Sequence, residues 1–215
     1  SLGANTTGEH NTALGRWALT LNTTADNSTA VGSSALQENT TGANNTAVGF
    51  QALEQNTTAS NNTAVGYQAL TNNTTGTANS AIGRRVLYAN TTGDSNTGLG
   101  LNALYNNTAS YNTAMGVGAM EANTTGASNT AVGYLALDGN TTGNKNVAVG
   151  EAALGANTTG GNNTALGYGS LGSNTTASHN TAVGYYSLNA SSGGNNACFG
   201  YQSGKDNTTR DSITA

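Results

Sequence analysis

The chain has 215 residues, a net charge of −4 and only 7% charged residues, against about 25% in an ordinary domain. No basic stripe is present to neutralise phosphates, which argues against nucleic acid as a partner, and no run approaches the ~20 apolar residues of a membrane span. A single cysteine, Cys198, excludes a disulfide framework and zinc sites built on paired cysteines.

From the first residues onward the chain repeats one phrase: Asn-Thr-Ala-Val-Gly, two variable residues, Ala-Leu, two more variable residues, then Asn-Thr-Thr-Gly. Its glycine recurs twelve times, from Gly15 and Gly32 through Gly49 to Gly200, in nine steps of 17 residues and two of 16. A fixed short period makes each repeat one structural rung. It also argues against an enzyme, because nearly every position is the same residue all along the array. Asn and Gly abound, yet Asn-Gly, the strongest short hairpin signal, is absent, and there is no proline. Gly, Asn and Thr disfavour helix, and no 3.6-residue period is present. The expected fold is therefore all-β: a parallel β-solenoid of about twelve 17-residue coils covering residues 1–204. Residues 205–215, with Lys205, Asp206, Arg210 and Asp211, read as a cap or as the start of a next segment. Ser1-Leu2 aligns with the Ala-Leu step of a repeat already under way, so the chain reads as part of a longer or processed protein.

Within a repeat, Asn45-Thr46-Ala47-Val48-Gly49 alternates two sets of side chains. The Val48 slot is always apolar, from Val to Phe199, and with Thr46 it is expected to face the core. Leu53 is expected to be the second core residue. The Ala47 slot never exceeds Cys198 in size, which suggests that another backbone passes close to it. Packing that small face on further copies would add to a thin core, and a parallel homotrimer is expected. Stacked Asn45, Asn62 and Asn79 should form an amide ladder, and stacked Thr46 and Thr63 a hydroxyl ladder. The two 16-residue steps arise in turns, at Asn107-Thr108-Ala109 and at Ala190-Ser191-Ser192-Gly193.

The stretches Asn44-Asn45-Thr46-Ala47-Val48-Gly49 and Asn61-Asn62-Thr63-Ala64-Val65-Gly66 resemble the head repeat of trimeric autotransporter adhesins. The longer phrase is also similar to repetitive regions of phage tail-fibre-like proteins. The resemblance implies a left-handed parallel β-roll with three chains side by side. It also implies a surface or virion rod, outside the cell, that contacts a host molecule. The period here is longer than in the adhesin head, so the coil must be wider or carry a longer turn.

Candidate contact residues fall in the variable slots. Trp17, Phe50, Tyr67, Tyr134, Tyr168, Tyr185, Tyr186 and Tyr201 would line one edge of the solenoid, with Arg84 and Arg85 as the only basic pair. Aromatic rows stack on sugar rings, and an arginine pair can hold an acidic glycan; equally, the tyrosines would stack on one another and the arginines be a solvated pair beside acids of a neighbouring chain. His10 and His179 share a slot ten coils apart, and Asp is too sparse for a calcium ladder, so neither metal nor cofactor is expected. Asn-Thr-Thr and Asn-Asn-Thr are formal glycosylation sequons that turn chemistry already explains. The expected function is a non-catalytic structural or adhesive fibre segment, with self and a host glycan or surface receptor as partners. The alternatives are a filament subunit stacking head to tail through an open first coil, and an ice-binding solenoid. The last requires the Thr46 row to face solvent on a flat face.

Overall fold

A computed structural model describes residues 1–207 and 211–215; Arg210 of the expected terminal cluster lies outside them. The fold is an all-β parallel β-solenoid of about 11 turns with ~17 residues per turn. It comprises two compact units, Ser1–Tyr111 and Asn112–Ala215. The first unit holds β1 (Thr12–Leu14), β2 (Thr29–Val31), β3 (Thr46–Val48), β4 (Thr63–Val65), β5 (Ser80–Ile82) and β6 (Thr97–Leu99). The second holds β7 (Thr113–Met115), β8 (Thr130–Val132), β9 (Val147–Val149), β10 (Thr164–Leu166), β11 (Thr181–Val183) and β12 (Ala197–Phe199).

Within each unit the repeats stack in strict register. Thr29 pairs with Thr46, Ala30 with Ala47 and Val31 with Val48; Thr164 pairs with Thr181 and Ala165 with Ala182. Each turn has only one three-residue strand, but the ladder continues around the whole coil. Thr46 N donates to Asn62 O at 2.8 Å, Leu53 N to Ala69 O at 3.1 Å and Thr40 N to Thr57 O at 2.9 Å. Sequential in-register stacking satisfies turn backbone that would otherwise need water.

The alternation of the strand residues holds, but its inside and outside are reversed from expectation. Ala47 and its equivalents Ala30, Ala64 and Ala131 are fully buried, whereas Leu14, Val48, Ile82 and Leu166 are exposed. Thr46 lies half-exposed beside Val48. The reason is the width of the coil. The interior of each turn already holds Leu53 and Ala52, both fully buried, and only a methyl group fits opposite them. Smallness at Ala47 is thus set by the same turn's own core, and no second chain can reach that face. One repeat demonstrates the constraint. Val86 stands in the Ala52 slot, and the strand that follows it carries Gly98 in place of Ala; a Cβ on Gly98 would lie 2.3 Å from Val86 Cγ1. In the last repeat Cys198 replaces Ala and Gly204 replaces Leu, where a Cβ would lie 2.6 Å from the Cys198 sulfur. Burial pushes the Cys198 thiol above its ordinary value.

Two rows of buried asparagines close the turns, and the expected amide ladder along Asn45 forms only in part. The side-chain ladder runs instead through the Asn of Asn-Thr-Thr. Asn56 Nδ2 donates to Asn39 Oδ1 at 2.8 Å and to Ala59 O at 2.9 Å, so both amide protons are used. In the Asn45 row the bonding is mainly to backbone, as where Asn62 N donates to Asn45 Oδ1 at 2.9 Å and Asn45 Nδ2 to Ala59 O at 2.8 Å; amide meets amide where Asn96 Nδ2 donates to Asn79 Oδ1 at 3.1 Å and Asn196 Nδ2 to Asn180 Oδ1 at 3.0 Å. Threonine hydroxyls bond in the turn, and to backbone: Thr40 Oγ1 donates to the carbonyl of Thr57 at 3.0 Å. The shortened turns fall where the 16-residue steps put them. Asn107 Nδ2 reaches Ala109 O two residues on, against three elsewhere, and Ser191 takes the buried Asn place with its hydroxyl on Gly193 O. Asn90 Oδ1 and Asn174 Oδ1, which precede these turns, are buried without a partner.

Candidate interaction surfaces

The outer face of the strands is one regular surface. In each unit it presents a Thr row and an apolar row side by side. The Thr row departs only at Ser80, Val147 and Ala197, and no strand position carries a charge. Leu14 is 67% exposed, Ile82 45% and Phe199 58%. A sheet face that remains in water usually carries charged residues; this one has none.

Gly49 turns the chain off this face. Its φ is +136°, and a Cβ would lie 2.3 Å from Gly66 O, so the glycine follows from both conformation and contact. The next residue opens the aromatic edge, and the seventeen-residue step puts like slots one above another. Phe50 stacks on Tyr67 with centroids 5.4 Å apart. In the second unit Tyr185 stacks on Tyr168 at 5.3 Å and on Tyr201 at 5.3 Å, while Tyr186 meets Tyr168 and Tyr185 edge-on. Lys205 Nζ lies 5.8 Å from the Tyr186 ring centre. The Tyr168 hydroxyl is pushed above its ordinary value, first by its hydrogen bond with Tyr186 and then by the charge of that neighbour. The rings stack face to face along the array, so their faces are largely spent on one another and their edges point to solvent. Trp17 is covered by Arg16, whose Cζ is 3.7 Å from the ring centre. Tyr134 is 54% exposed, and its ring stacks on no other among the described residues.

Arg84 and Arg85 are brought together with part of this edge. Arg84 sits over Tyr67 at 5.8 Å, and Arg85 over Tyr88 at 5.7 Å. Tyr88 in turn stacks on Tyr105 at 5.2 Å. Tyr88 and Tyr105 lie outside the edge expected from the sequence, although their 17-residue spacing in one slot signals the stack.

Among the described residues no group of three or more His, Cys, Asp or Glu could hold a metal ion. No helix there is long and apolar enough to cross a membrane. His10 instead lies 3.8 Å from the Glu9 carboxylate. Beyond residue 204, Ala197 pairs in parallel with Thr214, and Phe199 N donates to Ala215 O at 2.7 Å. Thr214-Ala215 thus takes the places of Thr46-Ala47 in a further turn. The array signal faded there because Ile213 stands where the phrase has Asn.

Comparison with protein-family models, with curated proteins and with solved structures found no match.

Proposed function

We propose that this chain is a non-catalytic structural segment of an adhesive fibre outside the cell, assembled as a parallel homotrimer through the outer Thr-and-apolar face. The observation that carries the reading is the uncharged apolar row along that face, exposed at Leu14, Val48, Ile82, Leu99, Met115, Leu166 and Phe199 and partly exposed at the valines between them. Contiguous exposed apolar surface of this kind marks an interaction site, and an in-register row suits a second copy lying parallel to the first. The resemblance to trimeric adhesin heads supports three chains and the fibre role. Sedimentation of the purified segment tests it: a mass of three chains is expected, falling to one chain in V48K/I82K with an unchanged circular dichroism spectrum. A monomeric wild type at micromolar concentration overturns the assembly.

A second reading, ice binding, gains one specific observation, because the Thr46 row does face solvent. Strand neighbours stand about 4.8 Å apart, which places the hydroxyls in a regular row. Against it, the accompanying apolar residues range from Val48 to Met115 and Phe199, an uneven relief better suited to interdigitating side chains than to ordered water. Thermal hysteresis in the wild type, lost in T46Y/T63Y, would favour ice over self-assembly.

A further inference from the structure

The two arginines on the fifth repeat are built into their surroundings. Arg85 Nε donates to Gln68 Oε1 at 2.9 Å, and its guanidinium lies over Tyr88. Tyr88 is backed by the parallel ring of Tyr105. Arg84, in the adjoining slot, lies over Tyr67. Among the described residues no carboxylate pairs with either arginine; the ion pair that is present joins His10 to Glu9. With Nε engaged and the ring beneath it, Arg85 keeps its terminal amino groups for an outside acceptor. A guanidinium held in this way loses little side-chain freedom when it binds an oxyanion, and one resting on an aromatic face keeps its charge without a counter-ion.

We propose that Arg84 and Arg85 form a receptor for an acidic saccharide. Its sulfate or carboxylate groups bind the two guanidinium groups, and its sugar rings lie against the edges of Tyr67 and Tyr88. A saccharide fits better than a nucleic acid strand. Beside the arginines the ring faces on which bases would stack are taken: Tyr67 by Phe50 and Arg84, Tyr88 by Tyr105 and Arg85. The site deepens the adhesive part of the reading above and uses no residue of the outer strand face.

Calorimetric titration with a heparin-derived oligosaccharide, a polygalacturonate oligosaccharide, neutral dextran and a single-stranded oligonucleotide tests the proposal. The acidic saccharides should bind and dextran should not. R84Q/R85Q should weaken binding by about tenfold or more, and Q68L, which releases Arg85, by less. Binding should fall as salt is raised. Preference for the sulfated or the carboxylated sugar identifies which group is recognised. Three results overturn the proposal: binding unchanged in R84Q/R85Q, no binding of either acidic sugar at low salt, or tighter binding of the oligonucleotide. Sedimentation of the same samples keeps assembly separate, since R84Q/R85Q should sediment like the wild type whichever way the titration falls.

Discussion

At the scale of single residues, the buried amides do work that apolar residues cannot. Asn56 donates to Asn39 and Ala59 and accepts from Asn73 Nδ2 at 3.0 Å. Asn56→Ala leaves these buried groups short of partners, at about 1–3 kcal/mol for each group. A clear drop in the thermal midpoint is expected, and Asn56→Asp should not restore it, because a carboxylate cannot donate. Asp138 presents the opposite case. Partial burial raises its carboxyl above the ordinary range, with the Glu121 carboxylate one turn away adding to the shift, while its backbone hydrogen bonds oppose it. A raised acid favours the fold while protonated, so its stabilising contribution is full below the unfolded value of about 3.9 and is lost as pH rises through the folded value. Asp138→Asn should therefore melt higher than wild type at pH 7 and equally at pH 3. An equal gain at both pH values would show that charge is not the cause.

At the scale of the repeat, the interior acts as one volume shared between the strand and the Ala-Leu corner. Val86 and Gly98 occupy together the space that Ala52 and Ala64, the alanine of the following strand, fill in the ordinary array. Gly98→Ala alone should destabilise by overpacking, about 1–3 kcal/mol, and Val86→Ala alone by leaving a cavity. The pair V86A/G98A restores the common phrase and should recover most of both losses. Denaturant melts of the four proteins give the coupling energy directly; simple additivity would mean that the two slots do not face each other. The leucine of the same corner has its own tension. Leu53 has φ +51°, a region costly for a bulky residue, and it stays there because its amide bonds Ala69 O and its side chain fills the core.

At the scale of the molecule, the outer face decides whether the chain works alone. If copies assemble through it, melting temperature must rise with protein concentration, and V48K/I82K must melt at one temperature throughout. The two lysines add charge at positions already half in water, so the fold of the single chain should survive them. A wild-type midpoint independent of concentration over a hundredfold range, taken with a monomeric mass, would leave the face to some other partner. The filament alternative also belongs at this scale. It predicts unbounded growth in electron micrographs where the trimer predicts discrete particles.

The seventeen-residue period determined by itself that the chain forms stacked parallel turns, that like residues lie above like, and that length changes fall in turns. These follow from local backbone preference and register, which a repeat states many times over. Grouping Thr46 with Val48, and Asn45 with Ala47, was equally legible, since alternation along a strand is a local rule. Which pair faces inward was not legible. That depends on how much room the coil leaves after Leu53 and Ala52 are placed, a property of the closed turn and not of any segment of it. The same holds for the two Asn rows: composition pointed to an amide ladder, but only the closed turn decides which amide reaches its copy and which reaches backbone. The aromatic edge was partly visible for the same reason. Spacing put Phe50 above Tyr67, while the seat of Arg85 between Gln68 and Tyr88 needed the corner of the turn to bring two slots together.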